Sequence, residues 1–186
     1  NRDINIYNLK RFNRLTGYWQ DLKYLDNSKN FLQSRLKQNK QIESSLNYVS
    51  NESNILIHVR RSDYLKTNQA LDILYYKKAI EVLSAKVNNP IFNVYTDDAE
   101  WVKAASVFKK VDRIFSSSSS KKDTIDTFAL MLRNDHFIIS NSTYSFLAAY
   151  LKQSKESIVT IPKPWMIGKN LSYNLYPHNW IKIERN

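Results

Sequence analysis

Asn54-Ile55-Leu56-Ile57-His58-Val59-Arg60-Arg61-Ser62-Asp63-Tyr64 is the stretch on which the reading of the fold turns. Ile55–Val59 is a β-rich apolar run that breaks off on charge, as a buried strand does where it leaves the core. Working outward, Tyr76, Ala79, Ile80, Leu83 and Val87 keep the spacing of one helix face, and Asn88-Asn89-Pro90 stops that helix. Ile91–Tyr95 reads as a second strand, residues 98–109 as a short helix through Trp101, and Val111–Phe115 as a third strand. Asp123 is expected to cap a helix whose face carries Ile125, Phe128, Ala129 and Leu132. Phe137–Ser140 reads as a fourth strand. Tyr144, Leu147, Ala148 and Leu151 line a helix that is apolar nearly all round, and Ser157–Ile161 makes a fifth strand, closed by Pro162 and Pro164. Strand and helix alternate four times across short connections. The expected fold class is therefore α/β, a parallel sheet covered by helices.

Residues 1–53 differ in composition. They are rich in Asn, Lys and Gln, and carry one weak amphipathic pattern through Leu32, Leu36, Ile42, Leu46 and Val49. They read as a helical lead-in or the edge of a missing N-terminal domain, with the sheet domain over residues 54–186. Ser116–Ser120 reads as a mobile loop. At 186 residues and 42% hydrophobic content the chain fits one soluble domain. No apolar run approaches the roughly 20 residues of a membrane span, and no signal-peptide pattern follows Asn1. The absence of cysteine excludes disulfide scaffolds, thiol catalysis and cysteine-rich zinc sites. His58, His136 and His178 lie too far apart for a local metal motif. Gly17 and Gly168 are the only glycines, which excludes a Walker A loop and a G-x-G-x-x-G fingerprint. The formal net charge of +11 asks for an anionic partner: nucleic acid, lipid or a phosphorylated small molecule. Any phosphate must then be held by side chains and helix N-termini.

Ligands of such sheets bind beyond the carboxyl ends of the strands, and three places qualify. At the end of the first strand, alternation puts His58 and Arg60 on one face and Val59 and Arg61 on the other. Arg60 offers a planar, permanently charged fork suited to two phosphate oxygens, and Asp63 is placed to orient an arginine. On these residues alone, a solvated strand end with a surface ion pair is slightly favoured. At the end of the second strand, Thr96-Asp97-Asp98 suggests a base or a metal, but helix capping by Thr96 or Asp97 is the stronger reading. After the fourth strand, Asn141-Ser142-Thr143-Tyr144-Ser145 opens the buried helix with a series of hydroxyls. Free backbone N–H groups there make an anion site without glycine, beyond what capping by Asn141 or Ser142 requires. Asp126 is expected to face the same end of the sheet, where its carboxylate could accept two N–H donors of guanine.

His58–Tyr64 (HVRRSDY), Thr96–Trp101 (TDDAEW) and Asp126–Leu151 (DTFALMLRNDHFIISNSTYSFLAAYL) resemble, in order, the motifs of family-11 glycosyltransferases, the α-1,2-fucosyltransferases. Gly17-Tyr18-Trp19-Gln20 with Lys23-Tyr24-Leu25, and the tail with Pro162, Trp165, Trp180 and Ile181, are similar to further segments of that family. The resemblance implies a GT-B fold whose C-terminal Rossmann-like domain, with helices on both faces, binds GDP-fucose. It implies that Arg60 binds the β-phosphate with His58 and Arg61 beside it, and that Asp126 contacts guanine. Ser142, Thr143 and Ser145 would hold phosphate, and Thr96, Asp97 and Asp98 would line the nucleotide pocket. The implied reaction inverts the anomeric centre, passes L-fucose from GDP-β-L-fucose to the 2-hydroxyl of a galactoside, and needs neither metal nor other cofactor. Family members open on a Gly-rich motif near G-G-L-G-N-Q that has no counterpart here, so the expectation is a donor-binding half, inactive in transfer by itself. Phe146-Leu147 stands where the family often has two tryptophans, and Arg133 where a small residue is common.

An α-1,6-type fucosyltransferase shares H-x-R-R-x-D and the T-D-D turn, but the N-S-T-Y-S and G-Y-W-Q segments favour the α-1,2 type. For the catalytic role, His58 and Asp63 are candidates beside Arg60, and Asp63 is equally readable as a buttress of Arg60. A non-catalytic nucleotide-sugar-binding module is a further reading. A nucleic-acid binder ranks last, because the basic charge is spread along the chain rather than clustered. The expected setting is cytoplasmic, with peripheral contact to the anionic inner face of a bacterial membrane, and surface-glycan synthesis such as O-antigen assembly as the context.

Overall fold

A computed structural model describes residues 21–116, 120–168 and 174–185. The Gly17–Gln20 segment therefore lies outside the described residues, as does most of the Ser116–Ser120 run. Six strands, β1 (Ser53–Val59), β2 (Pro90–Thr96), β3 (Arg113–Ser116), β4 (His136–Ile138), β5 (Val159–Lys163) and β6 (Ile181–Glu184), form one sheet in the order β3-β2-β1-β4-β5-β6. All five pairings are parallel. The chain winds outward from β1 in one direction, then returns to β4 on its other side and winds outward again. This is the Rossmann-like order, and the reversal lies between β1 and β4.

β1 is buried along nearly its whole length, as the apolar run requires of a central parallel strand. Its alternation divides the core. Ile55, Ile57 and Val59 pack with α4 (Ile73–Ser84), α5 (Ala99–Ala104) and a 3-10 turn at Ser106–Phe108. Leu56 faces the other layer, which holds α6 (Lys121–Met131) and α7 (Thr143–Lys152). Helices thus cover both faces. Leu22 of α1 (Leu22–Leu36) and Ile42 of α2 (Lys40–Leu46) join that second layer's core. Leu56 has no exposed surface, so Leu56→Ala would leave a cavity costing about 2–5 kcal/mol.

Several local expectations shift. The pattern through Leu32–Val49 is two helices, broken at Lys37–Asn39, where Asn39 caps α2 by accepting from the Gln41 and Ile42 N–H groups. Asp98, rather than Thr96 or Asp97, caps α5, accepting from the Trp101 N–H at 3.1 Å. Thr96 Oγ1 instead accepts from the Asp98 N–H, which sets that cap. Ser120, rather than Asp123, caps α6. The five-residue helix α3 (Ser62–Lys66) and strand β6 carry too little apolar pattern to be read from sequence. β6 is Ile-Lys-Ile-Glu at the sheet edge, and Ile183 is its one buried residue. The C-terminal segment is tied to the chain that follows α3 by Arg185, whose guanidinium donates to the Trp165 and Gln69 carbonyls.

Candidate nucleotide-sugar site

A cleft of about 820 Å³ opens at the carboxyl ends of β1 and β4, where the strand order reverses. His58, Arg60, Asp63, Asp97 and Ser142 line it, together with Ser62, Tyr64, Lys66, Thr124 and Tyr144. Four separate stretches of the chain converge there, three because β1, β2 and β4 lie side by side and end on the same side, and the fourth through Thr124 of α6.

Arg60 is held from two directions. Its Nη1 lies 2.9 Å from Asp97 Oδ2 and its Nη2 2.7 Å from Asp63 Oδ1. Asp97 also accepts from the Arg61 backbone N–H at 2.9 Å, so the β2 end fixes the β1 end. Asp97 is nearly covered while Asp63 is 61% exposed, so the inner contact is the rigid one and the outer one is open to exchange. Tyr64 lies under the Arg60 guanidinium, 5.9 Å from its ring centre, and its hydroxyl donates to the Asn141 carbonyl at 3.1 Å. α3 is thereby joined to the β4–α7 turn across the cleft floor.

Arg61 points elsewhere. Its Nε donates to Asp98 Oδ2 at 3.1 Å, and its guanidinium stacks 3.9 Å from the Trp101 ring centre. It contributes the backbone link to Asp97 rather than a cleft-lining side chain. Thr96 is buried and supports Asp98. At the start of α7, Ser142 is the cap and accepts from the Tyr144 N–H at 3.4 Å. Thr143 is exposed, whereas Ser145 is buried and donates to the Ser142 carbonyl, so of the three hydroxyls only Ser142 lines the cleft. Asp126 sits partly buried on α6 and is not among the cleft-lining residues; Thr124 is. Two residues apart on a helix, these side chains leave on different sides.

His58 is buried at the back of the cleft, its Nδ1 2.7 Å from Ser140 Oγ and its ring 6.0 Å from that of Tyr144. Burial lowers its pKa to about 4; the Asp97 charge opposes this and Arg60 adds to it. The imidazole is thus neutral at pH 7. Burial likewise pushes the Tyr144 phenol well above its usual value, and its hydroxyl donates to the Thr124 carbonyl, so Tyr144 offers the cleft a ring face. Tyr64 and Tyr144 lie inside the motifs quoted from the sequence, so both were within its reach. Lys66 and Thr124 carried no signal, and Ser140 read only as strand. Among the described residues, no group of three or more His, Asp or Glu side chains gathers as a metal site.

The family profile of Glycosyl transferase family 11 matches residues 4–184. The chain belongs to glycosyl transferase family 11. The family-11 chain is 30% identical over 185 residues to an alpha-1,2-colitosyltransferase of Escherichia coli, covering 91% of this chain and 62% of that protein. It is 27% identical to the O-antigen biosynthesis glycosyltransferase WbnK of Escherichia coli, over 91% of this chain and 60% of the relative. A galactoside 2-alpha-L-fucosyltransferase of Mus musculus, Sec1, is 28% identical over 101 residues, 51% of this chain and 27% of the mouse protein. The chain therefore spans about three fifths of the length of these two Escherichia coli proteins. The all-parallel Rossmann-like sheet accords with the GT-B fold of the family. Among the described residues, no helix is long and apolar enough to cross a membrane.

Proposed function

We propose that this family-11 glycosyltransferase chain binds GDP-β-L-fucose in the cleft between β1 and β4 and serves inverting transfer of fucose to the 2-hydroxyl of a galactoside. The observation that carries the reading is Arg60, a guanidinium held by Asp97 at a strand crossover, in a cleft that the capped end of α7 also lines. In this reading Arg60 takes the β-phosphate in place of the exposed Asp63 carboxylate, and Ser142 with the free N–H groups of α7 takes further phosphate oxygens. The charge that develops on departing GDP is then neutralised by groups already in position. Asp63, released from Arg60, is a candidate to receive the acceptor's proton, His58 being the other. Thr96 and Asp98 support the nucleotide side through the β2 turn, Arg61 through its hold on Asp98, and Thr143 and Ser145 through the α7 turn. For Asp126 to reach guanine, the base must extend past Thr124 to the side of α6 that carries Asp126. The sheet domain over 54–186 is the donor-binding unit, with α1 and α2 leading into it, and the acceptor is a galactoside-containing glycan.

Calorimetry with GDP and ADP tests the donor. GDP is expected to bind and ADP to bind more weakly, with Asp126→Asn erasing the difference. Equal binding of both nucleotides by the unmutated protein would defeat the guanine assignment. Transfer requires the acceptor hydroxyl to be held near the anomeric carbon, and lactose-dependent GDP release from GDP-fucose is the assay that reads it.

A second reading has a specific observation behind it. The colitosyltransferase match covers 91% of the chain, against 51% for the mouse fucosyltransferase, which supports a colitosyl donor in the same cleft. Competition of a colitosyl donor and GDP-fucose against bound GDP separates the two.

A further inference from the structure

His58 and Ser140 form a closed pair whose proton arrangement the structure determines. Both are buried, Ser140 completely, and His58 Nδ1 lies 2.7 Å from Ser140 Oγ. A neutral imidazole has one N–H and one acceptor nitrogen, and the partner of one nitrogen decides the state of the other. Suppose Nδ1 carried the proton and donated to Ser140. The Ser140 hydroxyl proton would then need another acceptor, and among the described residues Ser140 Oγ has none besides His58. Water does not reach it, since Ser140 has no exposed surface. That arrangement strands a buried donor, which proteins rarely tolerate. The reverse arrangement satisfies both groups: Ser140 donates and Nδ1 accepts.

The second nitrogen, Nε2, has no partner among the described residues, and His58 lines the cleft. The charged neighbours do not overturn this. Asp97, the carboxylate acting on His58, is committed to Arg60 and to the Arg61 N–H, and Arg60 itself opposes a second positive charge.

We infer that Ser140 is a positioning residue that donates to His58 Nδ1, fixes the ring proton on Nε2, and so makes His58 a neutral N–H donor to the donor sugar's diphosphate rather than the base that activates the acceptor. The diphosphate part rests on the nucleotide-sugar reading above; the tautomer does not. With His58 used as a donor, proton acceptance from the acceptor hydroxyl falls to a carboxylate such as Asp63.

The test is a long-range proton–nitrogen correlation spectrum of histidine-labelled protein at pH 7, with His58 assigned by its loss in His58→Gln. The expected signature is protonated Nε2 with bare Nδ1, and protonated Nδ1 or an imidazolium overturns the inference. Ser140→Ala should mix the tautomers and weaken GDP binding about five- to tenfold, with Ser140→Thr restoring both. GDP affinity unchanged in a folded Ser140→Ala protein also overturns it. Gln can set an amide N–H near the Nε2 position while the shorter Asn cannot, so His58→Gln should bind GDP about fivefold more tightly than His58→Asn. Equal affinities count against the inference. If the unmutated protein binds no GDP at all, the nucleotide reading falls, and the spectrum still judges the Ser140–His58 pair.

Discussion

Two polar networks cross the second layer of this sheet, one near its amino end and one at its carboxyl end, and they are built from opposite materials. The lower network is neutral. Asn93 Nδ2 donates to Asn54 Oδ1 and to Asn134 Oδ1, each at 3.0 Å, and Asn134 Nδ2 donates to the Tyr95 hydroxyl and to the Leu130 carbonyl. Its three asparagines are almost fully buried. The upper network is charged, reaches solvent, and leaves capacity unspent: Arg60 and Asp63 are exposed enough to exchange partners, and His58 lines the cleft. A buried, neutral amide set that links Asn54, Asn93 and Asn134 ties β1, β2 and the turn before β4 together. A charged set held on one side and open on the other can take a ligand. Burial and charge distinguish scaffold from site here; polarity alone does not.

The sharpest break of that contrast is Arg60→Ala. Losing a charged partner of phosphate should weaken GDP binding roughly 30- to 1,000-fold, and Arg60→Lys should recover part because it keeps charge but not the fork. Calorimetry at constant ionic strength reads it. Unchanged affinity in the alanine variant would reduce Arg60 to a surface ion pair.

Acid should separate the networks next. His58 is held near 4, below its ordinary 6.5, so on acidification the unfolded chain takes up a proton that the folded chain refuses. The stabilisation is complete above about pH 6.5, falls as pH drops, and its loss levels off below about pH 4, amounting to about 3 kcal/mol. His136 is also lowered by burial, but it is less covered and is common to both proteins compared. Urea midpoints at pH 7 and pH 4 should differ less in His58→Gln than in the unmutated chain, and an identical loss in both would remove His58 as the cause. The asparagine network, having no titrating side chain besides the Tyr95 phenol, which burial raises to about 12, should not contribute.

Asn93→Ala should act in the reverse sense. Two buried carbonyl acceptors lose their donor, which destabilises by roughly 1–3 kcal/mol, while GDP affinity stays the same for the protein that remains folded. Urea unfolding and calorimetry on one preparation give both numbers. A fall in affinity matching the Arg60 variants would show that the two networks are not separable.

The α/β class was legible because a central parallel strand has little freedom. Ile55–Val59, buried on both faces, is apolar but for His58 near its end, and a run that then ends on charge has to be leaving the core. The helix of Tyr76, Ala79 and Leu83 was legible for the same reason: one face must be buried, and its period shows. β6 was not, because an edge strand with one buried side chain has almost no pattern to display. Nor were the caps, since Thr96, Asp97 and Asp98 are chemically alike as caps, and one residue of register decides which carboxylate meets the Trp101 N–H.

The site divides along the same line. By itself, the sequence determined that the chain folds as alternating strands and helices, that any phosphate must be met by arginine and helix ends in the absence of glycine loops, and that His58 and Arg60 share a face. Those follow from local chemistry and from the period of two along a strand. Only the tertiary structure decided that Arg60 and Arg61 have different partners, that Asp97 rather than Asp98 meets Arg60, and that Ser140 sits on His58 from 82 residues away. These are contacts between separate strands, set by the parallel register of β1 with β2 and with β4. No periodicity within one strand encodes which residue of a neighbouring strand end it will meet.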